Sequence, residues 1–191
     1  MSSPKDRIIT LPNQHLRQHS KKVGIVDSAI NKIIQDMQAA LLDWEHSREH
    51  EVGVALAAIQ IDKPFRIVII RNDFNNKDDD TYSVFINPVI TKKEGPMEED
   101  YEGCLSVKNI YGKIPRYSKI KIKAQGLDGK EFRLKAEGFL ARTLQHEIDH
   151  TNGILFVDHI KNNPEAFFKL NQEGSLEQLD EQEAKISSFF R

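Results

Sequence analysis

The pentapeptide His146-Glu147-Ile148-Asp149-His150 has the residue types and spacing of a metal site with its own base. Residues four apart lie on one helix face, so two imidazoles can converge on one ion. Glu147 projects about 100° further round and can touch a water without ligating the ion. Two histidines alone also fit a surface helix with solvated side chains, so a third ligand is required.

Cys104 is the single cysteine of the chain and lies in Glu102-Gly103-Cys104-Leu105-Ser106. A lone cysteine is usually a small buried hydrophobe. Gly103, Tyr101-Glu102 and Leu105-Ser106 instead give it the mixed setting of a site edge. One thiolate and two imidazoles make three protein ligands and leave a fourth position for water, the pattern of a catalytic metal. A third segment, Gly53-Val54-Ala55-Leu56-Ala57-Ala58-Ile59-Gln60-Ile61, is small and apolar until one amide appears at Gln60.

These segments need a scaffold. Phe139, Leu140, Thr143, Leu144, Ile148 and the two histidines recur at helical spacing, with Asn152-Gly153 as a stop. Asp27 is an N-cap for a helix from about Ser28 to Glu49, whose stripe of Ile30, Ile33, Ile34, Met37, Leu41 and Trp44 is core. Phe65 to Arg71 and Tyr82 to Ile86 read as strands separated by a polar loop. Ile120 to Ala124, Asp128-Gly129 and Glu131 to Lys135 read as a β-hairpin with one wet face. Pro164-Glu165 opens an expected helix, and Leu176 to Phe190 a second, acidic one.

At 191 residues and 39% hydrophobic content, the chain suits one domain with a real core. No apolar run is long enough for a membrane helix, and the first residues lack the apolar core of a signal peptide. A single cysteine excludes an intrachain disulfide framework and fits a reducing compartment. The net charge of -2 gives no general attraction to nucleic acid.

The three segments, in this order, resemble the motifs GxGxAAxQ, EGCLS and QHExDH of the peptide deformylases. The second is matched from Glu102 to Ser106 and the third from Gln145 to His150. The first runs from Gly53 to Gln60 with Ala55 in place of its second glycine; Ile59 and Lys108 also depart from the usual residues. The similarity covers roughly residues 7 to 160 and leaves the ligands, the base and the amide in place.

The resemblance implies an α+β fold, with small antiparallel sheets packed around a central metal-binding helix that carries HExxH. It implies a catalytic domain over residues 1–163, followed by a packed or partly mobile helical extension over 164–191. The implied reaction removes the N-formyl group from the N-terminal formylmethionine of newly made polypeptides and releases formate. Cys104, His146 and His150 would hold one divalent ion, Fe²⁺ by family habit, with Zn²⁺, Ni²⁺ or Co²⁺ as substitutes. Glu147 would be general base, then general acid. The Gln60 amide and the Leu105 N–H would receive the oxyanion.

Substrate would lie extended beside Val54, Ala55, Leu56 and Gly103. Arg142, four residues before His146, would rim the cleft or pair with a surface acid, and Arg116 would orient Glu102. Expected partners are N-formylmethionyl peptides and at most a transient ribosome encounter, with no specific nucleic acid and no membrane, for a cytoplasmic monomer. Two other classes are consistent with parts of the pattern: a zincin-like endopeptidase, and a catalytically weak, metal-stabilised binding homologue.

Overall fold

The computed structural model describes residues 3–48, 50–73, 75–76 and 79–180. Asp27 caps helix α1 (Ser28–His46), its carboxylate accepting the Ile30 N–H at 3.0 Å, and Ile30, Ile34, Met37 and Leu41 are buried along one face. The chain then enters strand β1 (Ala55–Ala57), passes through a 3-10 turn (Ala58–Ile61) and returns as β2 (Ile67–Arg71), antiparallel to β1.

Two long strands follow, β3 (Tyr82–Cys104) and β4 (Val107–Gln125), joined by the two-residue turn Leu105-Ser106. Strand β5 (Glu131–Glu137) pairs with the second half of β4, completing the expected hairpin. Helix α2 (Gly138–Thr151) carries both histidines and is followed by the short α3 (Phe156–Ile160). Gly153 allows the tight exit from α2: its φ is +73°, and a Cβ there would lie 2.3 Å from the Arg17 carbonyl oxygen.

The expectation of several small antiparallel sheets needs correction. All strands among the described residues join one seven-stranded antiparallel sheet. The segments Tyr82–Ile86 and Ile120–Ala124 are parts of much longer strands, which continue through register shifts such as those at Ile86/Val89 and Glu94/Met97. Such bulges bend a strand without ending it.

The helices expected at Pro164 and Leu176 are also overturned. Pro164–Ala166 is a single 3-10 turn, Phe167–Leu170 forms β6 against residues 110–112 of β4, and Leu176–Gln178 forms β7 against β6. The helical spacing of Phe167, Phe168 and Leu170 yields to tertiary pairing, because β4 offers an open edge that the segment can satisfy. The rest of the expected acidic helix, residues 181–190, lies outside the described residues.

Strand alternation sorts the core into layers. Leu56, Ile67 and Ile69 face α1, whereas Ala55, Ala57, Val68 and Ile70 face Ala141, Leu144 and Ile148 of α2. A third cluster gathers Val107, Ile110, Ile114, Phe156, Val157 and Phe167 around α3. Helix α2 is thus pressed against the sheet on one side and the β3–β4 turn on the other, which holds its histidines against Cys104.

Candidate active site

On α2 the rings of His146 and His150 lie 5.0 Å apart, centroid to centroid. Cys104 ends β3 at the turn, and its Sγ is 3.2 Å from His150 Nε2. One ligand atom from each of the three residues falls within 4.8 Å of the others. A first-row metal ~2.0–2.3 Å from each ligand atom accommodates such spacing.

Glu102 steers this group. Its carboxylate accepts from His146 Nδ1 at 2.9 Å, from Arg116 Nε and Nη2 at 3.0 Å each, and from Arg142 Nη1 at 2.8 Å. Burial alone would raise the Glu102 carboxyl, but the His146 and Arg116 hydrogen bonds outweigh it and hold the group well below the usual carboxylate range. A ring that donates Nδ1–H to a carboxylate presents the lone pair of Nε2 to the site. Arg116 also pairs with Asp149 at 2.5 Å, and His159 Nε2 lies 2.7 Å from the same carboxylate. Arg116 is thus held between Glu102 and Asp149.

Glu147 is 4% exposed, and burial pushes its carboxyl up to about 7, near the pH at which a proton carrier works best. Gln60 is fixed from both ends. Its Oε1 accepts the Ala57 N–H at 2.8 Å, which turns its Nε2 toward Ser106 Oγ at 3.2 Å and Cys104 Sγ at 3.6 Å. The amide thus offers a held N–H donor beside the thiol.

A cleft of about 270 Å³ opens onto this group and is lined by Val54, Ala55, Gln60, Gly103, Cys104, Leu105, His146 and Glu147, among others. Val54 accepts the Arg71 N–H at 2.8 Å, so strand alternation turns the amide and carbonyl of Ala55 to the free edge of the sheet. Ala55 has no positive φ and Ile59 is fully buried in the core, so both departures from the first motif fit this backbone.

Leu56 and Arg142 are placed differently from the other expected substrate residues. The Leu56 side chain is fully buried against α1 and does not line the cleft. Arg142 lines the cleft, and the acid it pairs with is the buried Glu102 rather than a surface group. It is 8% exposed, and besides Glu102 its guanidinium donates to the carbonyls of Ile114 at 2.8 Å, Glu98 at 2.6 Å and Asp100 at 3.4 Å. It ties α2 to both long strands.

Ser106, Asp149, Tyr111 and Glu51 were not singled out from sequence. Asp149 and Ser106 sit inside the motifs themselves, the only local signal for either. Tyr111 and Glu51 carry none, because their pairing joins residues 60 apart.

A Cys-His-His group steered by a buried carboxylate, with a buried glutamate and a fixed amide on one cleft, defines a metallohydrolase on an antiparallel α+β scaffold. Residues 5–165 match the family model described as polypeptide deformylase. The peptide deformylase of Mesorhizobium japonicum is 42% identical over 159 residues, covering 82% of this chain and 85% of that protein. A peptide deformylase crystal structure from Legionella pneumophila aligns with a TM-score of 0.70 at 39% identity, over 80% of this chain and 83% of that one. One from Synechococcus elongatus in complex with actinonin aligns at 0.71 and 31% identity, over 82% and 80%. The chain belongs to the polypeptide deformylase family, metallohydrolases that remove the N-formyl group from nascent polypeptides.

Proposed function

We propose that this enzyme deformylates N-terminal formylmethionine with Cys104, His146 and His150 holding one divalent metal, Glu147 carrying the proton, and Gln60 with Leu105 stabilising the oxyanion. The single observation that carries this reading is the meeting of the three ligand side chains beside a cleft lined by Cys104, His146, Glu147 and Gln60. The donor set fits the ion: a thiol and two imidazoles lie within reach of one centre, and the histidine held by Glu102 can offer only Nε2. A bound divalent metal supplies Lewis acidity, polarising the formyl carbonyl and lowering the pKa of water.

The protein's own groups do the rest. Glu147 takes the proton of the attacking water and delivers it to the amine nitrogen as the C–N bond breaks, giving formate and a free N-terminus. Gln60 Nε2 and the Leu105 N–H donate to the formyl oxygen as its charge grows. The substrate backbone adds to the free edge of β1 at Ala55, opposite Gly103, through main-chain hydrogen bonds indifferent to sequence. Val54, Tyr101, Leu105 and Phe139 give the methionine side chain apolar walls.

The ion is Fe²⁺, with Zn²⁺, Ni²⁺ and Co²⁺ as substitutes. The enzyme is a cytoplasmic monomer whose catalytic domain spans residues 1–163, and it meets the ribosome only transiently. Metal content of Cys104→Ala tests the ligand set: loss of the ion supports it, and full retention favours a zincin-like arrangement with a different third ligand. Metal-loaded protein that releases no formate from formyl-Met-Ala-Ser favours the binding homologue.

A further inference from the structure

Gly103 and Val54-Ala55 both line the cleft, and the segments that carry them are joined by a short Tyr111–Glu51 hydrogen bond beside a long Arg48–Asn109 contact of 3.5 Å. Tyr111 sits on β4 directly across from Gly103 and also pairs with Phe168 of β6. Its ring crosses the glycine so closely that a Cβ at Gly103 would lie 2.5 Å from Tyr111 Cε1. The phenol then reaches the opposite side and donates to Glu51 Oε2 at 2.8 Å.

Glu51 belongs to the connection between α1 and β1 and leads straight into Val54 and Ala55. It is held in turn by Arg48 Nη1 at 3.3 Å, whose guanidinium lies 5.3 Å from the centre of the Trp44 ring on α1. Burial and the Glu51 carboxylate push the Tyr111 phenol above its ordinary range, so it remains a donor. Both residues line the cleft but stand outside the Cys-His-His group.

We infer that Tyr111 and Glu51 form a clasp that fixes the distance between the two walls of the cleft, making both positioning residues for the extended peptide. The inference rests on the deformylase reading of this cleft. A peptide that must bond to both walls at once binds best when their spacing is set in advance, and loses affinity when one wall is free to move. Bond-making at the metal group, anchored separately by Glu102, does not depend on the clasp.

The test uses the full chain and formyl-Met-Ala-Ser. In a Glu147→Gln background, calorimetry is expected to show binding weakened about tenfold by Tyr111→Phe and by Glu51→Ala, the scale of one hydrogen bond to a charged group. Glu51→Gln keeps an acceptor for the phenol and should restore affinity to within about twofold of the parent. The Tyr111→Phe/Glu51→Ala double variant should be no weaker than either single. With Glu147 present, KM should rise by the same factor while kcat stays within about twofold.

Unchanged affinity in Tyr111→Phe, additive losses, or Glu51→Gln as weak as Glu51→Ala would overturn the clasp. Affinity that follows this pattern in a protein without turnover would overturn the deformylase reading instead. Turnover with affinity indifferent to the pair would overturn the clasp alone.

Discussion

The carboxylate of Glu102 lies 2.9 Å from Nδ1 of His146, and the same carboxylate receives the guanidinium groups of Arg116 and Arg142. One buried acid thus orients His146 and pairs with two buried cations. Glu102→Gln should weaken metal affinity by about 10–100-fold, the usual effect of losing a carboxylate behind a ligating histidine. It should also cost several kcal/mol of stability, because buried Arg142 loses its countercharge and Arg116 is left with Asp149 alone. Chelator competition and urea unfolding check the two parts separately, and unchanged metal affinity would contradict the steering role.

Gln60→Ala removes a donor that Ala57 and Ser106 hold in place before substrate arrives. The expected result is a fall in kcat of ~10²–10³ with metal content unchanged. A loss confined to KM would mean that the amide binds substrate and transition state alike.

Glu45 and Arg71, neither of which lines the cleft, form a buried ion pair between α1 and β2, with Nη1 to Oε1 at 2.9 Å. Breaking it by Glu45→Ala leaves an unpaired buried charge and should cost about 3–5 kcal/mol. Activity per folded molecule should stay within about twofold. Urea midpoints and rates on the same samples decide this.

Leu56 supplies a contrast between core and cleft. Because its side chain packs on α1, Leu56→Ala should destabilise by about 2–5 kcal/mol while leaving KM for formylated peptides within about twofold. A large rise in KM without destabilisation would return it to the substrate wall.

Local patterns carried the α1 cap and stripe, the β4–β5 hairpin and the HEIDH helix, because each depends on neighbours within about one turn or one strand pair. The meeting of Cys104 with His146 and His150 was legible only through the chemistry of three ligands, since all of β4 and β5 and the start of α2 lie between the cysteine and the first histidine. Arg142 could not be read locally. Its partners are one carboxylate and three carbonyls on β3 and β4, brought to it by tertiary packing. The same holds for Phe167–Leu170, whose strand exists because β4 has an edge to pair with, and for Leu56, whose direction was set by the register of β1 on β2.

The decisive measurement is formate release from formyl-Met-Ala-Ser by protein reconstituted anaerobically with Fe²⁺, run beside Glu147→Gln with the metal content of both determined. Rapid turnover by the parent, reduced ~10²–10⁴-fold in the variant while the metal is retained, is the predicted result. A variant as fast as the parent would contradict Glu147 as proton carrier, and a metal-loaded parent that releases no formate would contradict deformylation by this site.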